Sequence, residues 1–162
     1  MTLTHSLPEF QLRTDVPIDI HSGFRYPSGA LSNFANYPFE FYGNRVESME
    51  GFLQGLRYQC PEEQKSVWLL IGMDAKKKSN RKIKNHTLYY QGRPMHRLST
   101  EYMTVVKSGY FKMASQNEPF RKALIDTRGR PLRHTVGKSD PLETILTEQE
   151  FVSILNEIRG LL

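Results

Sequence analysis

Three polar residues stand about one helical turn apart inside an otherwise apolar segment: Glu50, Gln54 and Arg57. At i, i+4 and i+7 they share one face of a helix. Met49, Phe52, Leu53 and Leu56 repeat with the same period on a neighbouring stripe. An acid, an amide and a guanidinium in a row can hold a sugar or a phosphate. The same arrangement is also that of an ordinary solvated face opposite a buried one. Gly51 and Gly55 interrupt the helix, and each costs about 1 kcal/mol relative to alanine in a helix interior. A close approach by backbone or by a ligand would explain that cost. Downstream, Lys76, Lys77, Lys78, Arg81, Lys82 and Lys84 form a basic run. Cations grip phosphate, and arginine does so through two donors, so Lys76, Lys77 and Arg81 are candidate phosphate ligands. The alternatives are a solvent-exposed lysine face and a nucleic-acid patch whose affinity falls with salt.

These residues need elements to position them. Residues 1–17 carry Pro8 and Pro17 and read as a loose arm, with one domain over 18–162. An extended segment is expected from Ile18 to Tyr26. Phe39–Tyr42 and Arg45–Glu47 predict a hairpin turning at Gly43-Asn44. Ser48 stands at the N-cap of the Glu50 helix. Pro61 opens a second helix, expected to run through Trp68 to Ile71 and stop at Gly72. Residues 85–98 read as a loop with some extended character. Helices are expected over 99–114 and about 118–126. The last helix carries a Thr147/Glu150 capping box ahead of Phe151, Ile154, Leu155 and Ile158. Short strands followed by several helices predict a single α+β, mainly helical domain.

Composition narrows the function. The 162 residues are 38% hydrophobic and 11% aromatic, which suits a folded domain with its own core. No apolar run has the ~18 residues of a membrane span, and the N-terminus has no signal-peptide pattern. A soluble cytoplasmic protein with no membrane partner is the expectation. The single cysteine, Cys60, fits a reducing compartment. A net charge of +5 points to an anionic partner. The five scattered histidines have no zinc spacing, and nucleotide-binding glycine loops are absent, so neither metal nor cofactor is expected. The histidines read as structural or exposed, and oligomeric state is left open.

Two segments carry a family resemblance. Leu31-Ser32-Asn33-Phe34, followed by Ser48-Met49-Glu50-Gly51-Phe52-Leu53-Gln54-Gly55-Leu56-Arg57-Tyr58, resembles the opening of the NADAR family, the YbiA-like N-glycosidases. Ala75-Lys76-Lys77 with Arg81, Val105 through Gln116-Asn117 to Thr127, and the C-terminal Leu155–Leu162 extend the likeness over roughly residues 20–162. The resemblance implies a YbiA-like domain that hydrolyses an N-glycosidic bond in an ADP-ribosyl or ribosyl-phosphate substrate, ADP-ribosylated nucleic acid included. It places Glu50 at the catalytic glutamate, and Asp140 is its candidate partner because family members carry an aspartate in that region. Phe34 and Tyr58 match motif positions and are candidates to stack on the leaving base, with core packing as the alternative, and Asn33 is a candidate hydrogen-bonding residue, with a turn as the alternative. Breaking a C1–N bond builds oxocarbenium character on the ribose, and a carboxylate beside C1 stabilises it or activates water. A non-catalytic ADP-ribose-binding module and a nucleic-acid-binding protein are the alternatives.

The chain departs from the family pattern in three places. Gly51 follows the key glutamate where the family has histidine. Leu98 and Glu143 align with family tryptophans. These changes imply either that the end of the site recognising the base is rebuilt for a different base or that the chain is a divergent, inactive member.

Overall fold

The structure, a computed structural model, describes residues 16–80 and 83–162. The expected arm lies largely outside the described residues, as does Arg81. Val16 and Pro17 are described, and their carbonyls accept hydrogen bonds from the Arg130 guanidinium.

The described strands form three two-stranded ladders. β1 (Ile18–Asp19) is shorter than the expected extended segment, because the chain bends at Ser22–Tyr26. β2 (Phe39–Phe41) and β3 (Asn44–Val46) form the predicted hairpin, but its turn is Tyr42-Gly43, one residue earlier than expected. Both turn residues have positive φ, 47° and 84°, as a two-residue turn matching strand twist requires. β4 (Thr87–Tyr90) and β5 (Arg93–His96) form a second hairpin around Gln91-Gly92, where a loop was expected. The third ladder joins β1 in parallel to β6 (Leu132–Arg133), pairing Ile18 with Leu132 and Asp19 with Arg133.

Six helices complete the described fold. α1 (Met49–Gly55) starts on Ser48, whose Oγ accepts the Gly51 N–H at 3.0 Å. α2 (Pro61–Trp68) ends earlier than expected, and Gly72 begins α3 (Gly72–Lys76) instead of terminating α2. α4 (Thr100–Gln116) and α5 (Glu118–Ile125) lie close to the expected ranges. α6 (Glu148–Leu161) opens on the predicted capping box.

Burial decides how α1 is read. Every one of its residues is buried, the polar ones included: Glu50 is 6% exposed and Gln54 3%. A solvated polar face is excluded. One side of α1 packs into an aromatic core, where Phe52 meets Phe41 edge-on at 4.8 Å and stacks on Trp68 at 5.5 Å. Its two glycines face α2. A Cβ on Gly51 would stand 2.6 Å from the Leu70 carbonyl oxygen, and one on Gly55 2.4 Å from the Trp68 indole. The close approach inferred from sequence is therefore backbone and core packing. It also explains why histidine does not follow Glu50.

Gly51→Ala is accordingly expected to destabilise the fold by about 1–3 kcal/mol, the usual cost of overpacking. Gly160→Ala, whose Cβ would meet nothing within 4 Å, supplies the control in denaturant titration. Equal midpoints for the two variants would contradict the packing account.

Candidate active site

The polar face of α1 forms the floor of a cleft of about 350 Å³, within the ~300–1,000 Å³ range of small-molecule sites. Glu50, Gln54 and Arg57 line it together and are chained by hydrogen bonds. The Arg57 Nε donates to Gln54 Oε1 at 2.8 Å, and the Gln54 amide donates to Glu50 Oε1 at 3.0 Å. Helical spacing sets Glu50 and Gln54 one turn apart, while Arg57, expected on the same helix, lies in the turn after its C-cap and reaches back to Gln54. Tertiary contacts then hold α1 in place. Ser48 Oγ donates to the Leu70 carbonyl at 2.9 Å, and the Gln64 amide donates to the Gly55 carbonyl at 3.1 Å.

Burial pushes the Glu50 carboxyl above the ordinary carboxylate range. The Gln54 hydrogen bond and the cations Lys76 and Arg57 offset this only in part. The result is a carboxyl that takes and releases a proton nearer neutrality than an exposed one does. Such a shift in a cleft makes Glu50 a candidate functional group. Burial likewise lowers the Arg57 guanidinium from its usual value.

Asn33 and Phe34 enter from the loop after a short 3₁₀ turn at Gly29–Leu31. The Asn33 carbonyl accepts the Glu50 N–H at 3.1 Å, and its side-chain oxygen accepts the buried Tyr110 hydroxyl at 2.7 Å. Asn33 is thereby locked to both α1 and α4 at the edge of the cleft. Lys76, at the end of α3, lines the cleft; Lys77 is exposed and does not.

The structure does not bring Asp140 into the cleft. It is exposed, and its Oδ1 accepts the Leu142 N–H at 2.9 Å in a turn. Glu143, three residues on, lines the cleft instead, beside Thr144. Leu98, the other position aligned with a tryptophan, is exposed and does not line the cleft.

Three cleft residues carry no sequence signal: His21, His134 and Lys138. The parallel β1–β6 ladder brings the two histidines there, since each follows a paired strand by one or two residues. Both are partly exposed, as expected, and each makes a hydrogen bond to backbone through Nδ1. His134 Nδ1 lies 2.8 Å from the Ile20 carbonyl, and its ring meets Phe151 edge-on at 5.1 Å. His21 stacks on Phe24 at 4.6 Å. No group of three or more metal-ligating side chains occurs among the described residues. No described helix is long and apolar enough to cross a membrane.

A buried carboxylate, a positioned amide, two imidazoles and flanking cations suit attack on a sugar carbon attached to an anionic group. Comparison with known proteins agrees with the architecture. The family described as "Bacteriophage protein GP30.3" matches residues 25–160. The chain is 38% identical over 146 residues to a protein of Enterobacteria phage T4, covering 88% of this chain and 96% of that protein. That relative is described as the "Uncharacterized 17.1 kDa protein in Gp30-rIII intergenic region". The NMR structure of the E. coli protein YbiA matches with a TM-score of 0.59 at 15% identity, over 93% of this chain and 89% of that one. The YbiA-like α+β fold implied by the sequence is the fold observed.

Proposed function

The chain belongs to the bacteriophage GP30.3 family and has the YbiA-like fold, and on that premise we infer that it is an N-glycosidase acting on an ADP-ribosyl or ribosyl-phosphate substrate. The observation that carries this reading is the burial of Glu50 at the floor of the cleft. A buried carboxylate is costly to the fold, and here it stands in a row with Gln54 and Arg57 and near Lys76. Glu50 stabilises the oxocarbenium-like ribose and takes a proton from the attacking water. Lys76 and Lys138 attract the phosphates. The Asn33 amide hydrogen-bonds a sugar hydroxyl. Gln54 orients the Glu50 carboxylate through Oε1, leaving Oε2 for water.

The test is incubation with ADP-ribosylated guanine nucleotide and DNA, with ribosylaminopyrimidine phosphate, and with nicotinamide mononucleotide. Release of the free base or amine from at least one of them is expected. Tight ADP-ribose binding by calorimetry, with every substrate left intact, would replace the enzyme with a binding module.

A further inference from the structure

Hydrolysis of a C1–N bond needs a proton at the leaving nitrogen as well as a base for water. Asp140 is turned away from the cleft, so the acid must come from elsewhere. Both cleft histidines are held through Nδ1, but in opposite ways. His21 Nδ1 accepts the Gly23 N–H at 3.1 Å. Its neutral ring therefore carries the proton on Nε2, and protonating Nδ1 would break the Gly23 bond. His21 can donate a hydrogen bond to an anion but cannot cycle a proton without losing its anchor.

His134 is the reverse. Its Nδ1 faces the Ile20 carbonyl, which only accepts, so Nδ1 carries hydrogen whether the ring is neutral or charged. Nε2 is the uncommitted nitrogen. It can gain a proton and hand it on while the Ile20 bond stays intact. Phe151 supports the ring edge-on, and Glu148 accepts the His134 backbone N–H at 3.1 Å. The imidazole is thus held rigidly against the cleft.

Resting on the glycosidase reading above, we propose that His134 is the catalytic acid that protonates the leaving nitrogen. The C1–N electron pair passes to nitrogen, which takes the proton from His134 Nε2. The water oxygen bonds to C1 and loses its proton to Glu50. Solvent exchange returns that proton to His134, so one water is consumed and the products are the free sugar hydroxyl and the N–H base.

Leaving-group dependence tests this. His134→Asn keeps a donor near the Nδ1 position for Ile20 but has no proton to transfer. It is expected to lower kcat/KM by about 10²-fold or more on a neutral-nitrogen leaving group, ribosylaminopyrimidine phosphate or ADP-ribosylguanine, the scale of a lost general acid. On nicotinamide mononucleotide, whose leaving nitrogen is already cationic, the loss should stay below about 5-fold because no proton is needed. Glu50→Gln should lose both substrates alike, and Glu143→Gln should keep the parent's ratio between them. Equal losses for His134→Asn on both substrates, or a shifted ratio for Glu143→Gln, would overturn the assignment while leaving Glu50 in place. A parent that cleaves neither substrate would overturn the glycosidase reading and this assignment with it.

Should His134→Asn fold poorly, the parent's pH profile answers the same question. An alkaline limb is expected with the neutral leaving group and not with the cationic one, and the same limb with both refutes the proposal. Glu50 on α1, Asp19 on β1, Arg133 on β6, Glu148 on α6, and the cleft residues His21, Arg57, Lys76, Lys138 and Glu143 are the titratable and charged groups around His134. They act on both substrates equally, so the difference between profiles isolates the leaving-group proton.

Discussion

Glu50→Gln is expected to cut turnover by about 10²–10⁴-fold, the range for loss of a positioned acid–base group, and at the same time to make the protein more stable at neutral pH. The two effects have one cause. Burial raises the Glu50 carboxyl above the ordinary range, so the folded state holds a proton that the unfolded chain has already released. Stability therefore falls as pH rises from the ordinary carboxylate value to the raised one, and it stays reduced above that. A glutamine at position 50 carries no charge to bury, and its amide oxygen can still accept from Gln54. Thermal melts at pH 8 should show the variant ahead by on the order of 1 kcal/mol, typical of relieving a strained functional site. That lead should vanish below the ordinary carboxylate range, where both chains are neutral at this position. A variant less stable than its parent at pH 8 would show that Glu50 serves the fold. In the parent, the acid limb of kcat/KM should lie above the usual carboxylate range, since water activation needs the ionised form.

The largest loss of stability is expected from Arg97→Ala. Arg97 is 1% exposed and spans several partners. Its Nη atoms meet both Glu150 carboxylate oxygens, at 3.1 and 2.5 Å. Its Nε donates to the Thr144 carbonyl at 2.8 Å, and its guanidinium lies over the Tyr102 ring at 5.0 Å. The Tyr102 hydroxyl in turn donates to the Ile145 carbonyl. Two buried donors thus clamp, from behind, the loop that presents Glu143 and Thr144 to the cleft. Burial alone would raise the Glu150 carboxyl, but the Arg97 and Thr147 hydrogen bonds outweigh it and hold that carboxyl below the ordinary range. Removing Arg97 strips the half-buried Glu150 carboxylate of both guanidinium contacts, leaving it the Thr147 N–H, and strips the Thr144 carbonyl of its donor, at a cost of about 3 kcal/mol, the low end for breaking a buried pair. Replacing both partners with methionine should cost less than the single change, because no charge is stranded. Denaturant midpoints for the two variants decide this; a loss under about 1 kcal/mol for Arg97→Ala would mean the clamp contributes little.

Local features were legible because they are local. The Ser48 cap, the Thr147/Glu150 capping box and the apolar stripes of α1, α4 and α6 follow from contacts within about two helical turns. The Phe39–Val46 hairpin was equally plain, yet its turn slipped by one residue. Gly43-Asn44 looked the better pair, but pairing Phe39 with Val46 and Phe41 with Asn44 buries Phe39, Phe41 and Val46. Core packing thereby forced Tyr42 into positive φ. The second hairpin was missed because Pro94 and the polar Arg93 and His96 mask the alternation around Leu88 and Met95.

The sequence by itself determined that Glu50 and Gln54 share a helix face, since helical pitch fixes that spacing; Arg57, expected on the same helix, lies in the turn just past its end and joins the row through Gln54. Only the tertiary structure decided that this face is buried, and hence that the Glu50 carboxyl is perturbed, because burial depends on what the Asn33 loop, α3 and the segments at His134 and Thr144 place around it. It alone decided the second half of the site as well. His134 bonds the carbonyl of Ile20, 114 residues away, through a parallel pairing of two-residue strands too short to leave a pattern in either segment. The family's aspartate in the C-terminal region pointed to Asp140, although Ser139-Asp140-Pro141 also reads as an ordinary turn. The fold turned that side chain onto its own backbone and put Glu143 in the cleft, because a short polar side chain satisfies the nearest N–H before it reaches across a site.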